Sequence, residues 1–266
     1  MAYDFRIDID DTYVDYVKFG KGKKNLIIIP GLGESLKTTH GTGRILSKMY
    51  KCFKKDYTVY VFSRRYRLKE NFTTEDMAED IIELMNKLNI EKASIAGVSQ
   101  GGMIAQYIAI NHPDKVDKLI LVVTLSKQNE IVKERISKWL DYANNKDYKN
   151  IFIDTMENSY QEKKLKKYRK LYKVLIKISE PKTLTRFKIE ANACLSHNAY
   201  SKLKLIKSPT LVIGGEKDQI VGVNASKEIH EKIKNSELYI YEDYGHGVYE
   251  EAKDFNKRIV EFLNKE

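Results

Sequence analysis

Ala93-Ser94-Ile95-Ala96-Gly97-Val98-Ser99-Gln100-Gly101-Gly102-Met103 joins an apolar run, a serine set between glycines and the start of a helical stripe. Ala93 to Ala96 reads as a buried strand, and Met103, Ile104, Tyr107 and Ile108 follow at helical spacing. Ser99 therefore falls on a strand-to-helix turn. A nucleophile lifted clear of a sheet needs a cramped backbone, and glycines two before and two after it let strand and helix pass closely. Gly97 and Gly101 meet that need. The helix start also leaves free N–H groups, above all that of Gln100, which can hydrogen-bond an oxyanion. A bare G-x-S-x-G arises by chance in ordinary tight turns; its placement between a strand and a helix is what gives it meaning.

These residues resemble the nucleophile elbow of the α/β-hydrolase superfamily. The run onward through Ile108, Ala109, His112, Pro113, Val116, Leu119, Ile120 and Leu121 is similar to the helix and strand that follow it there. The resemblance implies an α/β fold with a mostly parallel central sheet flanked by helices. It also implies a covalent acyl-serine intermediate on Ser99 and no metal or organic cofactor.

Upstream, Asp4 to Ile9 and Tyr13 to Phe19 read as an antiparallel pair around an Asp10-Asp11 turn, and Asn25 to Pro30 as a strand buried on both faces. Pro30-Gly31-Leu32-Gly33 follows, where the superfamily usually carries H-G-x-G; carried across, the second oxyanion donor is the backbone N–H of Leu32. Pro30 departs from the usual histidine, which touches the bonds that hold the loop and not the donor. Thr42 to Phe53 can form a helix and Tyr57 to Phe62 a strand. Many relatives continue with Asp-Arg-x-Gly, whereas this chain has Ser63-Arg64-Arg65-Tyr66-Arg67. Arg64 and Arg65 are candidates to grip a substrate carboxylate, with simple solvation as the alternative. Thr74 opens a helix whose Met77, Ile81, Leu84 and Met85 share one face. Strand and helix alternating from Asn25 onward require a parallel sheet with right-handed crossovers.

After Lys118 to Val123 the pattern changes. Residues 126–201 carry only helical stripes: Ile131, Ile136, Trp139 and Leu140, then Tyr168, Leu171, Tyr172 and Leu175, then Leu184, Phe187, Ala191, Cys194 and Leu195. The expected division is a core of 1–125 and 202–266 with an all-helical insertion at 126–201, which in the superfamily caps the active site. Trp139 is the candidate substrate contact there, against the alternative of plain helix packing. The sheet resumes at Pro209 to Ile213, followed by a helix from Val223 to Ile233, a strand from Glu237 to Tyr241 and a final amphipathic helix.

A serine hydroxyl needs a base, and the base needs an acid that fixes its tautomer. The superfamily order is Ser, acid, His. Gly214-Gly215-Glu216-Lys217-Asp218-Gln219-Ile220-Val221 is similar to its G-x-x-D-x-x-V, favouring Asp218 over Glu216. His246, between Gly245 and Gly247 after the last strand, resembles its base, and His40 stays open as a rival. The expected function is hydrolysis of a carboxylic ester, or related acyl bond, of a small to medium, largely apolar molecule. A lyase or cofactor-free haloperoxidase on the same fold is the alternative; a basic nucleic-acid-binding or ligand-receptor protein is the rival outside catalysis.

The net charge of +10 raises that rival, but the lysines are scattered among acids, and Lys163 to Lys170 reads as a solvated helix face, so no specific nucleic-acid partner is expected. Cys52 and Cys194 show neither disulfide nor metal spacing. No apolar run of membrane-spanning length occurs, and Met1-Ala2-Tyr3-Asp4-Phe5 has no leader pattern, so the default expectation is a cytoplasmic protein without membrane insertion. The sequence leaves the oligomeric state open.

Overall fold

Side chains alternate across a strand, and here both sets are apolar, which requires helices on both faces of the sheet. The computed structural model describes residues 3–265; Met1 and Ala2, from the stretch read above for a leader, and Glu266 lie outside them. In chain order, β1 (Tyr3–Ile9) and β2 (Thr12–Gly20) form a hairpin, followed by β3 (Lys24–Ile29), α1 (Gly43–Met49), β4 (Tyr57–Phe62), α2 (Thr74–Lys87), β5 (Ala93–Val98), α3 (Gln100–Asn111) and β6 (Val116–Val122). Five helices come next: α4 (Glu130–Asn144), α5 (Tyr148–Ser159), α6 (Glu162–Tyr168), α7 (Tyr172–Ser179) and α8 (Thr185–Ser196). The sheet then resumes with β7 (Thr210–Gly215), α9 (Val223–Lys232), β8 (Ser236–Tyr241), α10 (Val248–Glu251) and α11 (Phe255–Leu263).

The eight strands lie in the order β1-β2-β4-β3-β5-β6-β7-β8. The pairings β1–β2 and β2–β4 are antiparallel, and every pairing from β4 to β8 is parallel. Ile27, Ile29, Ile95, Leu119, Leu121 and Val212 face α2, α3 and α9, where they meet Met77, Ile81, Ile104, Ile108 and Ile229. Their neighbours Leu26, Ile28, Ala96, Val98, Ile120, Val122 and Ile213 face the other way, onto Phe53 and the Phe255, Ile259 and Phe262 stripe of α11. A mostly parallel sheet sends its βα loops to one edge, which is where a site can be assembled from distant parts of the chain.

The helix at 74–87 is fixed by a capping box: Asp76 N–H donates to the Thr73 hydroxyl and the Thr73 N–H to the Asp76 carboxylate at 2.8 Å. A third apolar cluster joins Val132, Ile136 and Trp139 of α4 and Phe187, Ala191 and Cys194 of α8 to Leu32 and Met103. The helical insertion is thus seated over the β5 end of the sheet. One stripe differs from expectation. Leu171, grouped by periodicity with Tyr172 and Leu175, is 49% exposed, because a tighter 3₁₀ turn at Arg169–Leu171 separates α6 from α7 and rotates the apolar face.

Candidate active site

Ser99 holds φ 53° and ψ −119°, a sparsely populated backbone region for a side-chain-bearing residue. The surroundings enforce it. A Cβ on Gly97 would lie 2.3 Å from the Gly101 carbonyl oxygen, and one on Gly101 would lie 2.0 Å from that of Ile29, so β3, β5 and α3 approach as closely as glycine permits. The Ser99 N–H donates to Val122 O at 2.8 Å, and the Thr124 hydroxyl donates to Ser99 O at 2.7 Å. The turn is pinned from the β6 side.

Asp218 and His246 come from the loops after β7 and β8. Asp218 Oδ1 accepts the N–H groups of Ile220 at 2.8 Å and Val221 at 3.0 Å, while Oδ2 sits 2.9 Å from His246 Nδ1. Burial alone would raise the carboxyl pKa; the charge and hydrogen bond of His246 and the two backbone donors outweigh it and hold Asp218 below its ordinary value. Both side chains are buried. Of the rivals, Glu216 is exposed with Lys227 3.9 Å away, and His40 is exposed.

Ser99 and His246 line one cavity of about 280 Å³. Among the described residues no hydrogen bond joins them; such a contact is often loose until substrate is bound. Leu32 opens a 3₁₀ turn (Leu32–Ser35) and Gln100 opens α3. As first residues of helical turns, both have N–H groups without an intrahelical acceptor. A Cβ on Gly31 would stand 3.2 Å from Ser99 Cβ, which brings the loop carrying Leu32 against the serine. The rest of the lining is mostly apolar and includes Met103, Val132, Ile136, Trp139 and Phe187. Trp139 is thus one of the lining residues, and its Nε1 donates to Asp154 at 2.8 Å.

Arg64 and Arg65, read from the sequence as candidates to grip a substrate carboxylate, are both engaged by groups of the protein itself. Neither lines the cavity. Arg65 is engaged by the Asp80 carboxylate through Nε at 2.7 Å and through Nη2, and by Asp10 at 3.1 Å. Arg64 is buried, and its Nη2 donates both to the Pro30 carbonyl at 2.5 Å and to Gln100 Oε1 at 2.9 Å. Around it lie Glu34 at 3.6 Å and Glu190 at 3.7 Å, with Arg186 of α8 donating to Glu34 at 3.0 Å and to Glu190 at 3.4 Å. Gln100 Nε2 in turn donates to Glu190 O at 2.8 Å. Burial, then the Glu34 charge, push the Glu190 carboxyl upward against the pull of Arg64 and Arg186.

This cluster ties together the loop bearing Leu32, the helix start bearing Gln100, and α8. Sequence reasoning did not find Glu34, Arg186 or Glu190 in it. Their spacing carries no motif; the one local signal is that Glu34 directly follows Gly31-Leu32-Gly33. Among the described residues no three His, Cys, Asp or Glu side chains stand together as a metal-binding group.

A serine on a strained turn, a His–Asp pair facing the same cavity and two free N–H groups make a set able to carry out nucleophilic acyl chemistry. Comparison with known proteins bears on the frame that holds it. The chain is 28% identical to the AB hydrolase superfamily protein YisY of Bacillus subtilis over 206 residues, 73% of this chain and 75% of that protein. It is 24% identical to a putative carbamate hydrolase, RutD, of Caulobacter over 257 residues, covering 92% of each. The crystal structure of MGS-M2, an alpha/beta hydrolase enzyme from a Medee basin deep-sea metagenome library, superposes with a TM-score of 0.86 over 98% of each chain at 20% identity, a likeness of fold. The family model of the alpha/beta hydrolase fold matches residues 24–253, from the first residue of β3 to beyond α10, and this chain belongs to that family.

Proposed function

We propose that the protein is a serine hydrolase that cleaves a carboxylic ester, or a related acyl bond, of a small to medium, largely apolar molecule. The observation that carries this reading is the Asp218–His246 hydrogen bond at the cavity that Ser99 also lines. Ser99 Oγ attacks the acyl carbon while His246 takes its proton. The carbonyl π pair moves onto oxygen, and the N–H groups of Leu32 and Gln100 stabilise the resulting oxyanion. Collapse breaks the bond to the leaving oxygen, which receives the proton from His246 and departs as an alcohol. Water, deprotonated by His246, then attacks the acyl-serine; collapse releases the carboxylic acid, and the proton returns to Ser99. Asp218 remains ionised throughout and holds the imidazole in the tautomer with hydrogen on Nδ1. The mostly apolar lining suits an apolar acyl group, and the name of the Caulobacter relative refers to a carbamate, a bond open to the same attack.

Purified protein offered a panel of p-nitrophenyl esters should release a burst of p-nitrophenol and should be labelled covalently by a fluorophosphonate at Ser99. Ser99→Ala should lose activity by about 10³-fold or more while its thermal midpoint stays close to that of the parent. Full turnover in that variant would remove Ser99 from the chemistry. A parent protein inert to every ester and to the fluorophosphonate would end the hydrolase reading.

A further inference from the structure

The rotation of the apolar face in the second half of the helical insertion leaves Leu171, Val174 and Ile178 pointing to solvent, at 49%, 56% and 66% exposure. Val174 and Ile178 lie about 40° apart on the α7 helix at 3.6 residues per turn, and Leu171 closes the 3₁₀ turn that leads into it. Tyr172, by contrast, is buried. The next strip of the same surface carries Lys173 and Lys177, and the preceding turn and helix add Lys163, Lys166, Lys167 and Lys170, all exposed. Among the described residues none of these six lysines is held in an ion pair, whereas Lys164 and Arg169 nearby are paired with Glu250, Glu157 and Glu162. Lys163 to Lys170 does present the solvated lysines expected of it, and the exposed apolar stripe lies just beyond, at Leu171, Val174 and Ile178.

We propose that the α6–α7 surface docks the protein onto an anionic lipid bilayer, with Leu171, Val174 and Ile178 entering the interface and the lysines meeting the headgroups. Such a helix lies in the plane of the interface, its binding set by buried apolar area together with attraction to anionic lipid. The charge selects this occupant over others. A second copy meeting the same face about a two-fold axis would set lysine against lysine, and a nucleic acid would leave the apolar stripe without a partner. The position also has a consequence at the cavity. Tyr168 of α6 packs edge-on against Tyr160, their ring centres 5.7 Å apart, and Lys164 bonds Glu250 at 2.9 Å; Tyr160 and Glu250 both line the cavity. Docking through α6 and α7 therefore brings the cavity rim to the lipid. The docking itself does not depend on the proposed hydrolysis; only the delivery of apolar substrate from the bilayer does.

The test is flotation of the full chain with phosphatidylcholine vesicles, with and without phosphatidylglycerol. Binding should require the anionic lipid and should fall by roughly tenfold or more at high salt. Leu171→Gln/Val174→Gln/Ile178→Gln, changed only at exposed positions, should lose vesicle binding by roughly tenfold or more while keeping turnover of a water-soluble short ester. Lys170→Gln/Lys173→Gln/Lys177→Gln should lose most of the preference for anionic lipid. Should the apolar triple variant fold poorly, Ile178→Glu alone reads the same contact. No binding to anionic vesicles overturns the proposal, as does binding indifferent to both sets of changes. So does a dimer that the apolar variant dissociates, or a duplex DNA complex tighter than the vesicle complex. Ser99→Ala should bind vesicles as the parent does, so failure of the hydrolase reading and failure of docking stay separable.

Discussion

Arg64 shows how one buried guanidinium can tie two separate segments of the chain together. Its Nη2 bridges Pro30 O and Gln100 Oε1, so the two backbone segments that carry the Leu32 and Gln100 N–H groups share one anchor. Lysine keeps the charge that balances Glu34 and Glu190 but lacks the planar guanidinium, which holds Nη2 on Pro30 O and Gln100 Oε1 while Nη1 and Nε face the two carboxylates. Arg64→Lys should therefore lower kcat by about 10- to 100-fold, since small misplacements of stabilising groups are costly, with KM within about twofold of the parent. A change confined to KM, or to thermal stability, would make Arg64 a packing residue only. The partners of Arg64 were not legible in the sequence, for a physical reason. Three clustered arginines look solvent-seeking until the carboxylates that neutralise them are known, and Glu34 and Glu190 lie 30 and 126 residues away from Arg64 in the chain. Ser99 was legible because its requirement is local: the glycines that let β3, β5 and α3 meet are within two residues of it.

His197, at the end of α8, joins the insertion to α2. Its Nδ1 lies 2.8 Å from the Thr74 hydroxyl and its ring meets Tyr107 edge-on at 5.4 Å. Burial lowers its pKa to about 3. The unfolded chain takes up a proton near pH 6.5, which the folded chain refuses until far lower pH. The folded state is thus free of this effect above about pH 6.5 and loses stability as pH falls towards 3; at pH 5 the loss is about 2 kcal/mol. His197→Gln keeps an acceptor for Thr74 and should flatten the stability difference between pH 7 and pH 5, read by denaturant unfolding at both. An unchanged difference would assign the acid sensitivity to other groups. The strands of the sheet layer were readable as short apolar, β-rich runs and its longer helices by one apolar face, from Tyr57–Phe62 to Ser236–Tyr241. The insertion was readable as helical but not in its facing. A single 3₁₀ turn at Arg169–Leu171 suffices to move an apolar stripe from the packed side to the exposed one, and periodicity cannot register that turn.

Parallel strand order gathers the loops after β3, β5, β7 and β8 at one edge, and the third apolar cluster seats α4 and α8 over them. Side chains of the insertion, Val132, Ile136, Trp139 and Phe187 among them, therefore form much of the cavity wall, and under the proposed function they would measure the acyl group. The cavity of about 280 Å³ corresponds to roughly nine water-sized units of about 30 Å³, part of which the reacting carbonyl and leaving group must occupy. Each buried methylene contributes about 0.8 kcal/mol, or roughly a fourfold gain, as long as there is room for it. For a series of p-nitrophenyl esters, kcat/KM should climb by up to about fourfold per added carbon and then break, with the optimum at roughly four to eight acyl carbons. Phe187 lines this cavity from α8 and is 2% exposed, so Phe187→Leu enlarges the cavity, at a stability cost of about 1 to 3 kcal/mol. The optimum should move to longer chains in that variant while the rate on the shortest ester holds. An optimum that stays in place would mean that the acyl chain leaves the site by another route and that the insertion does not measure it.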